Sequence, residues 1–216
     1  MKVLLLNGSP NQHGCTHTAL CEVARAIEES GIETEILWIG NQAVRGCIGC
    51  GGCARSGKRR CVFGDDLVNT ALDKMHSCDG LVVGSPVHYA AAGGSITSFL
   101  DRMFYAGGSQ MRAKVGAAVC SARRAGTTAT LDQLSKYFTI CGMPIAPSQY
   151  WPMVHGSTPE DVRQDEEGMQ IMRMLGRNMA YMIRAFALAR DCGFDHINMD
   201  PTRIHIPDGM AADPEG

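Results

Sequence analysis

Apolar positions in this chain fall in short unbroken runs, separated by stretches whose apolar residues recur at helical spacing. Val3, Leu4, Leu5 and Leu6 form the first run, which suits a parallel strand buried on both faces. Residues 19–29 then read as an amphipathic helix, and residues 34–39 alternate apolar with polar as a second strand nearer an edge of the sheet. Residues 41–64 have little periodicity and are rich in glycine and cysteine, the mark of a long loop, and long loops in compact domains are usually functional or disordered. A helix is predicted over 65–76, with Asp65 and Asp66 in its first turn. The alternation continues with a buried strand at 79–84, a loop at 85–94, a helix at 95–105, a strand at 114–120 and a loop at 121–126. A helix at 127–141 stops at Gly142, and a short Pro-flanked last strand covers 144–147. Five strands separated by helices predict an α/β fold, a doubly wound parallel sheet in a three-layer sandwich. Ligands of such sheets sit beyond the carboxyl ends of the strands, so the loops after strands one, three and four are the expected site.

Residues 157–190 open on capping signals, Ser157 with Glu160 and Thr158 with Asp161, and carry Met169, Met172, Leu175, Met179, Met182 and Phe186 on one stripe of a single long helix. The methionines read as core or interface filling. A helix longer than the sheet is deep would overhang, which predicts a homodimer or homotetramer. Residues 191–216 read as an extended tail.

Composition narrows the picture. With 216 residues and 45% hydrophobic content, one α/β domain over residues 1–190 with a full core is the default. The formal charge of −2 gives no broad electrostatic attraction to nucleic acid or an anionic membrane. The first apolar run is too short for a signal peptide and no stretch is long enough to span a bilayer, so a cytoplasmic protein is expected. Ten cysteines in a reducing compartment point to thiols, metal or a cluster rather than disulfides. Cys15, Cys21, Cys78, Cys120, Cys141 and Cys192 are scattered and read as small buried hydrophobes. Cys47, Cys50, Cys53 and Cys61 are not scattered; they have the spacing C-x2-C-x2-C-x7-C.

Between the first strand and the first helix lie Ser9, Asn11, Gly14, Cys15, Thr16 and Thr18, with no carboxylate among residues 7–18. A strand, a polar loop and a helix start present unpaired N–H groups and the positive end of the helix dipole to one point, which favours an anion. No lysine precedes the hydroxyl residue, unlike a triphosphate loop, and no G-x-G-x-x-G follows the strand, unlike a dinucleotide loop. A terminal phosphomonoester held by the Ser9, Thr16 and Thr18 hydroxyls and by amides remains, at about 1.5–3 kcal/mol for each charge-assisted bond. A plain Ser/Thr helix cap is the competing reading.

Gly8-Ser9-Pro10 followed by Gly14, Thr16 and Leu20 resembles the FMN-phosphate loop of the flavodoxin-like NADPH-dependent FMN reductase family. Gly84-Ser85-Pro86-Val87-His88-Tyr89 with Phe99-Leu100-Asp101-Arg102 resembles that family's isoalloxazine loop and the helix after it. The segment from Cys47 to Cys53 with Asp65-Asp66 resembles the cysteine segment of its iron-sulfur flavoprotein branch. The resemblance covers about residues 1–155. It implies a flavodoxin-like five-stranded sheet of order 2-1-3-4-5, FMN as cofactor and NAD(P)H as co-substrate. The charge is mild for a flavodoxin, which tilts this reading toward an enzyme.

A flavin ring needs a flat slot with few side chains. Residues 85–94, from Ser85, Pro86 and Val87 on, offer this, with small residues at Ala90 to Gly93 and Gly94 and the His88 and Tyr89 rings to flank the flavin; an ordinary strand-helix connector is the alternative. Ser121, Arg123, Arg124 and Gly126 sit where related proteins close over the ring's pyrimidine edge. Arg123 or Arg124 would stabilise negative charge on the reduced ring, bind the 2′-phosphate of NADPH, or be merely solvated. The four grouped cysteines would wrap a [4Fe–4S] cluster, as the iron-sulfur branch implies, remain free thiols, or hold zinc. Tyr150 and Trp151 line an acceptor pocket or pack. The resulting expectation is an FMN-dependent NAD(P)H oxidoreductase acting on a quinone, an azo or nitro compound, free flavin or a protein acceptor. Its rivals are an electron carrier between proteins and a thiol or zinc redox sensor.

Overall fold

The chain's computed structural model describes residues 1–194, among which are six strands and seven α-helices. The strands are Lys2–Asn7 (β1), Glu33–Trp38 (β2), Gly80–His88 (β3), Ala91–Ala92 (β4), Val115–Ala122 (β5) and Met153–His155 (β6). The helices are Cys15–Glu28 (α1), Gly52–Arg55 (α2), Val68–His76 (α3), Gly94–Gly107 (α4), Thr127–Ile140 (α5), Pro159–Gln164 (α6) and Glu166–Asp191 (α7). The tail expected from residue 191 lies, beyond Phe194, outside the described residues.

Five strands run parallel in the order β2-β1-β3-β5-β6, the expected flavodoxin-like order once the two-residue β4, antiparallel to the end of β3, is set aside. Side chains alternate across the sheet. Leu4, Leu6, Leu81 and Val83 pack under α3, α4 and α5 against Leu72, Phe99 and Phe138. Val3, Leu5, Val82 and Val119 pack on the other face under α1 and α7 against Leu20, Val23, Leu175 and Met179. Leu4, Leu5 and Leu6 are wholly buried, each contributing about 1.5–3 kcal/mol. No described helix is long and apolar enough to cross a membrane.

Several boundaries differ from the sequence expectation, each for a physical reason. The last strand is not 144–147. Pro144 and Pro147 have no N–H to offer a ladder, and this stretch meets β5 only through the Gly116–Ile145 bridge before pairing resumes at Met153 opposite Cys120. The single helix over 157–190 is two. Asp165 (ψ 78°) leaves helical geometry, and its carboxylate accepts from Gly168 N at 3.0 Å and His155 N at 2.7 Å. Of the two capping signals, Thr158 with Asp161 forms the box. Asp65 and Asp66 precede α3 rather than filling its first turn; Asp66 accepts from Val68 N at 3.1 Å. β3 continues through His88 and turns back at Tyr89 and Ala90 (φ 50° and 59°), so Ser85 to His88 are strand and not loop. Likewise β5 extends to Ala122 and takes in Ser121, while α1 begins at Cys15 rather than at residue 19.

Candidate functional site

At the carboxyl end of β1 the buried Asn7 shapes the loop to α1. Its Oδ1 accepts from Ser9 N at 3.1 Å and its Nδ2 donates to the Gln12 carbonyl at 2.9 Å. Gly8 N donates to the Gly84 carbonyl at 2.9 Å, and a Cβ at Gly8 would sit 2.6 Å from that of Ile96, so only glycine lets the loop lie down on β3 and α4. Ser9 Oγ accepts from Asn11 N at 3.1 Å. The threonine hydroxyls face inward: Thr18 donates to the Gly14 carbonyl at 3.2 Å, and Thr16 lies 2.8 Å from Ser121 Oγ in a buried pair. The first helical bond runs from Thr18 N to Gly14 O, with no side-chain cap and no acidic residue in the first turn. The N–H groups of Cys15, Thr16 and His17 therefore have no intrahelical acceptor. They open beside a groove of about 550 Å³ bounded by Asn11 to Cys15, Trp38 and Ser157. Burial, then neighbouring His13, lowers the His17 pKa, so an anion placed here would be met by amides and the helix dipole.

The loops after β3 and β5 meet next to this one. Ser85 is buried; its hydroxyl accepts from Gly93 N at 3.0 Å and donates to the Pro86 carbonyl at 2.8 Å, holding the β3–β4 hairpin closed. Gly126 (φ 91°) packs so tightly that a Cβ would lie 2.7 Å from Ala90 Cα. Between Val87, Tyr89 and Ala90 on one wall and Ala122 to Gly126 on the other runs a groove of about 420 Å³. Arg123 and Arg124 are exposed on its rim and form no ion pair among the described residues. His88 and Tyr89 are exposed at the hairpin tip. The Thr16–Ser121 bond ties the two halves of the site together.

Cys47, Cys50, Cys53 and Cys61 line a separate cavity of about 200 Å³ with Ile48, Phe63, Arg102 and Tyr105. Among the described residues no three Cys, His, Asp or Glu side chains stand close enough to share one metal ion. All four cysteines line this one cavity, and four thiols are the donor chemistry that an iron–sulfur cluster or a zinc ion takes. Cys53 Sγ points to the Tyr105 carbonyl at 3.8 Å. Asn69 grips the loop from α3: its Oδ1 accepts from Cys61 N at 2.9 Å, and its Nδ2 donates to the carbonyls of Cys61 and Phe63 at 3.0 and 2.9 Å. Arg102, fully buried on α4, pairs with Asp66 through two bonds and points Nε at Cys61 Sγ, 3.2 Å away. Reasoning from the sequence assigned neither Asn69 nor Arg102 a role. The available signal was a charge at Arg102 between Leu100 and Met103, inside an apolar helix face.

The scattered cysteines are of another kind. Cys78 and Cys120 are buried as expected, whereas Cys15 and Cys141 are half-buried and Cys21 and Cys192 are exposed; burial pushes the Cys120 thiol up to about 12 and raises that of Cys78, which makes these two poor nucleophiles and ligands.

The model of the NADPH-dependent FMN reductase family matches residues 1–158. An iron-sulfur flavoprotein of Methanocaldococcus jannaschii is 34% identical over 193 residues, covering 85% of this chain and 98% of its own. An iron-sulfur flavoprotein of Methanosarcina thermophila is 25% identical over 195 residues, covering 88% and 100%. Among solved structures, a WrbA-like flavodoxin from Agrobacterium tumefaciens superposes with a TM-score of 0.62 at 14% identity, covering 85% of this chain and 98% of its own. An NADH:FMN oxidoreductase in its apo form gives 0.60 at 15% identity, covering 85% and 89%. At these identities the structural likeness speaks for the fold alone.

Proposed function

Because the chain belongs to the NADPH-dependent FMN reductase family, and is thereby an FMN-binding oxidoreductase, we propose that it takes reducing equivalents from NAD(P)H. It passes them to a quinone, an azo or nitro compound, free flavin or a protein acceptor. The observation that carries this reading is the meeting of three loops at the carboxyl ends of β1, β3 and β5, with an unsatisfied helix start at one end and a shallow groove at the other. Bound FMN supplies the redox chemistry, a hydride in and a hydride or single electrons out. The chain's own residues bind and orient it. Amides from residues 9–18 hold the phosphate. The Ser85-braced hairpin, with Val87, His88 and Tyr89, borders the ring. Arg123 and Arg124 would stabilise the negative charge that builds on the reduced ring or bind the 2′-phosphate of NADPH.

Cys47, Cys50, Cys53 and Cys61 would hold a [4Fe–4S] cluster, which supplies a one-electron store. Four cysteines lining one cavity and the names of the curated relatives support this. The functional unit is one flavodoxin-like domain over residues 1–190. Exposed Tyr181 and Leu188 on α7 support assembly as a homodimer or homotetramer, and ten free cysteines support a cytoplasmic location. Purified anaerobically, the protein should be yellow-brown and bleach on adding NADH or NADPH; a colourless protein that takes up no added FMN overturns the assignment.

One observation favours a second reading, an electron carrier between proteins. Ile48, Val62 and Tyr105 are exposed around the cysteine cavity and offer a partner an apolar rim. Sustained NAD(P)H oxidation with a small quinone separates the two, since a carrier should show none.

A further inference from the structure

We propose that Arg102 is a positioning residue for the four-cysteine site, donating through Nε to the Cys61 sulfur and so raising the reduction potential of the cluster held there; this rests on the cluster reading above.

A guanidinium with 1% of its surface exposed is costly unless each donor is matched, and here all five are. Nε meets Cys61 Sγ at 3.2 Å. Nη1 meets the Arg45 carbonyl at 3.3 Å and Asp66 Oδ2. Nη2 meets the Phe63 carbonyl and Asp66 Oδ1, both at 3.2 Å. The Phe63 ring lies 5.3 Å from the guanidinium carbon and also meets Arg45. Asp66 balances the charge through Nη1 and Nη2, leaving the third edge of the fork to a sulfur. Asn69 meanwhile fixes both backbone groups of Cys61.

The four sulfurs are therefore unequal. Cys61 receives a cationic donor, Cys53 only faces a carbonyl, and Cys47 and Cys50 have no hydrogen-bond partner among the described residues. Hydrogen bonds to ligand sulfurs help set cluster potentials. An N–H directed at a thiolate withdraws electron density from it and favours the state that carries one more negative charge. One electron arrives, and the Arg102–Cys61 contact neither breaks a bond nor passes a proton, because arginine stays protonated throughout the working range. A staple that only tied α4 to the loop would hold the cysteines without biasing that electron.

The test begins with wild-type protein prepared anaerobically. Iron and sulfide analysis comes first; wild-type protein without either overturns the cluster reading itself. In cluster-bearing wild type labelled isotopically at arginine nitrogen, pulsed EPR of the reduced state should detect hyperfine coupling to the label. Its absence overturns the proposal, whatever the variants do. Arg102→Lys keeps the charge without the fork, and Arg102→Gln removes the charge. Both are expected to lower the midpoint potential, Gln more than Lys, and to move the iron–cysteine stretching bands in resonance Raman to higher frequency. Asn69→Ala loosens the loop but leaves Arg102 in place, and should lose cluster occupancy more than potential. Arg102 variants that retain iron with wild-type potential and Raman bands overturn the proposal.

Discussion

Single backbone positions decide whether the loops of this site can meet. Gly126 combines a left-handed φ of 91° with a neighbour 2.7 Å from any Cβ, so Gly126→Ala must both strain its own backbone and push Ala90 away. We expect a loss of about 1–3 kcal/mol in stability, together with weaker FMN binding in a fluorescence titration; an unchanged FMN affinity would uncouple the hairpin from the cofactor site. Asn69→Ala strips partners from Cys61 N, Cys61 O and Phe63 O, and should cost about 1–3 kcal/mol, read by chemical denaturation. At this scale the sequence was legible where chemistry is local. Gly8, Ser9 and Gly14 announce a tight polar loop, and the cysteine spacing announces four residues that line one cavity. It was not legible where a side chain's partner is remote. The hydroxyls of Thr16 and Thr18 were expected to face a phosphate; that of Thr16 instead meets Ser121, a residue of another strand, and that of Thr18 turns back on its own helix. Arg102 finds Asp66 and Cys61 only after α4 has docked.

At the level of elements, α1 and α7 cross so closely that a Cβ on Gly176 would stand 2.6 Å from the Val23 carbonyl oxygen and 2.8 Å from Ala26 Cβ. Gly176→Ala gains up to about 1 kcal/mol of helix propensity but loses about 1–3 kcal/mol to overpacking against atoms that cannot swing aside. The net expectation is a lower melting temperature, and a rise would mean the helices can part without cost. The same pair of helices carries a pH response. Arg25, and then Arg173 across the interface at 2.7 Å, hold the Glu22 carboxyl below its ordinary range. A depressed carboxyl stabilises the fold above its unfolded pKa of about 4.3 and loses that contribution as pH falls through the lower folded value. Glu22→Gln should cost about 0.5–1 kcal/mol at pH 7 and flatten the fall in melting temperature below about pH 4.5, measured by calorimetry from pH 7 to pH 3. Element type followed from periodicity almost throughout, because buried runs and amphipathic stripes are local patterns. The ends did not. The pairing of Met153 to His155 with β5, and the break at Asp165, depend on contacts with distant chain that no local pattern records.

For the molecule as a whole, the order β2-β1-β3-β5-β6 places β1 where the winding reverses, with its following loop on one side of the sheet and those of β3 and β5 beside it. This is where such sheets leave a crevice. Grooves lie at the loop of residues 10–15 and between residues 87–90 and 122–126, and the Thr16–Ser121 bond joins α1 to β5. A ligand spanning both would link the first strand, the central hairpin and the β5 loop, so its binding should stabilise the whole fold rather than one loop. Free FMN at 100 times its dissociation constant adds about 2.7 kcal/mol to the folded state. At about 2–4 °C per kcal/mol for a chain of this size, the melting temperature of the apoprotein should rise by about 5–11 °C. Riboflavin fills the ring slot but brings no phosphate to the amides of Cys15, Thr16 and His17, and at the same concentration it should raise it far less. Equal shifts from the two would mean that the helix start contributes nothing to holding the flavin, and would move the anchor to the hairpin and the Arg123–Arg124 loop.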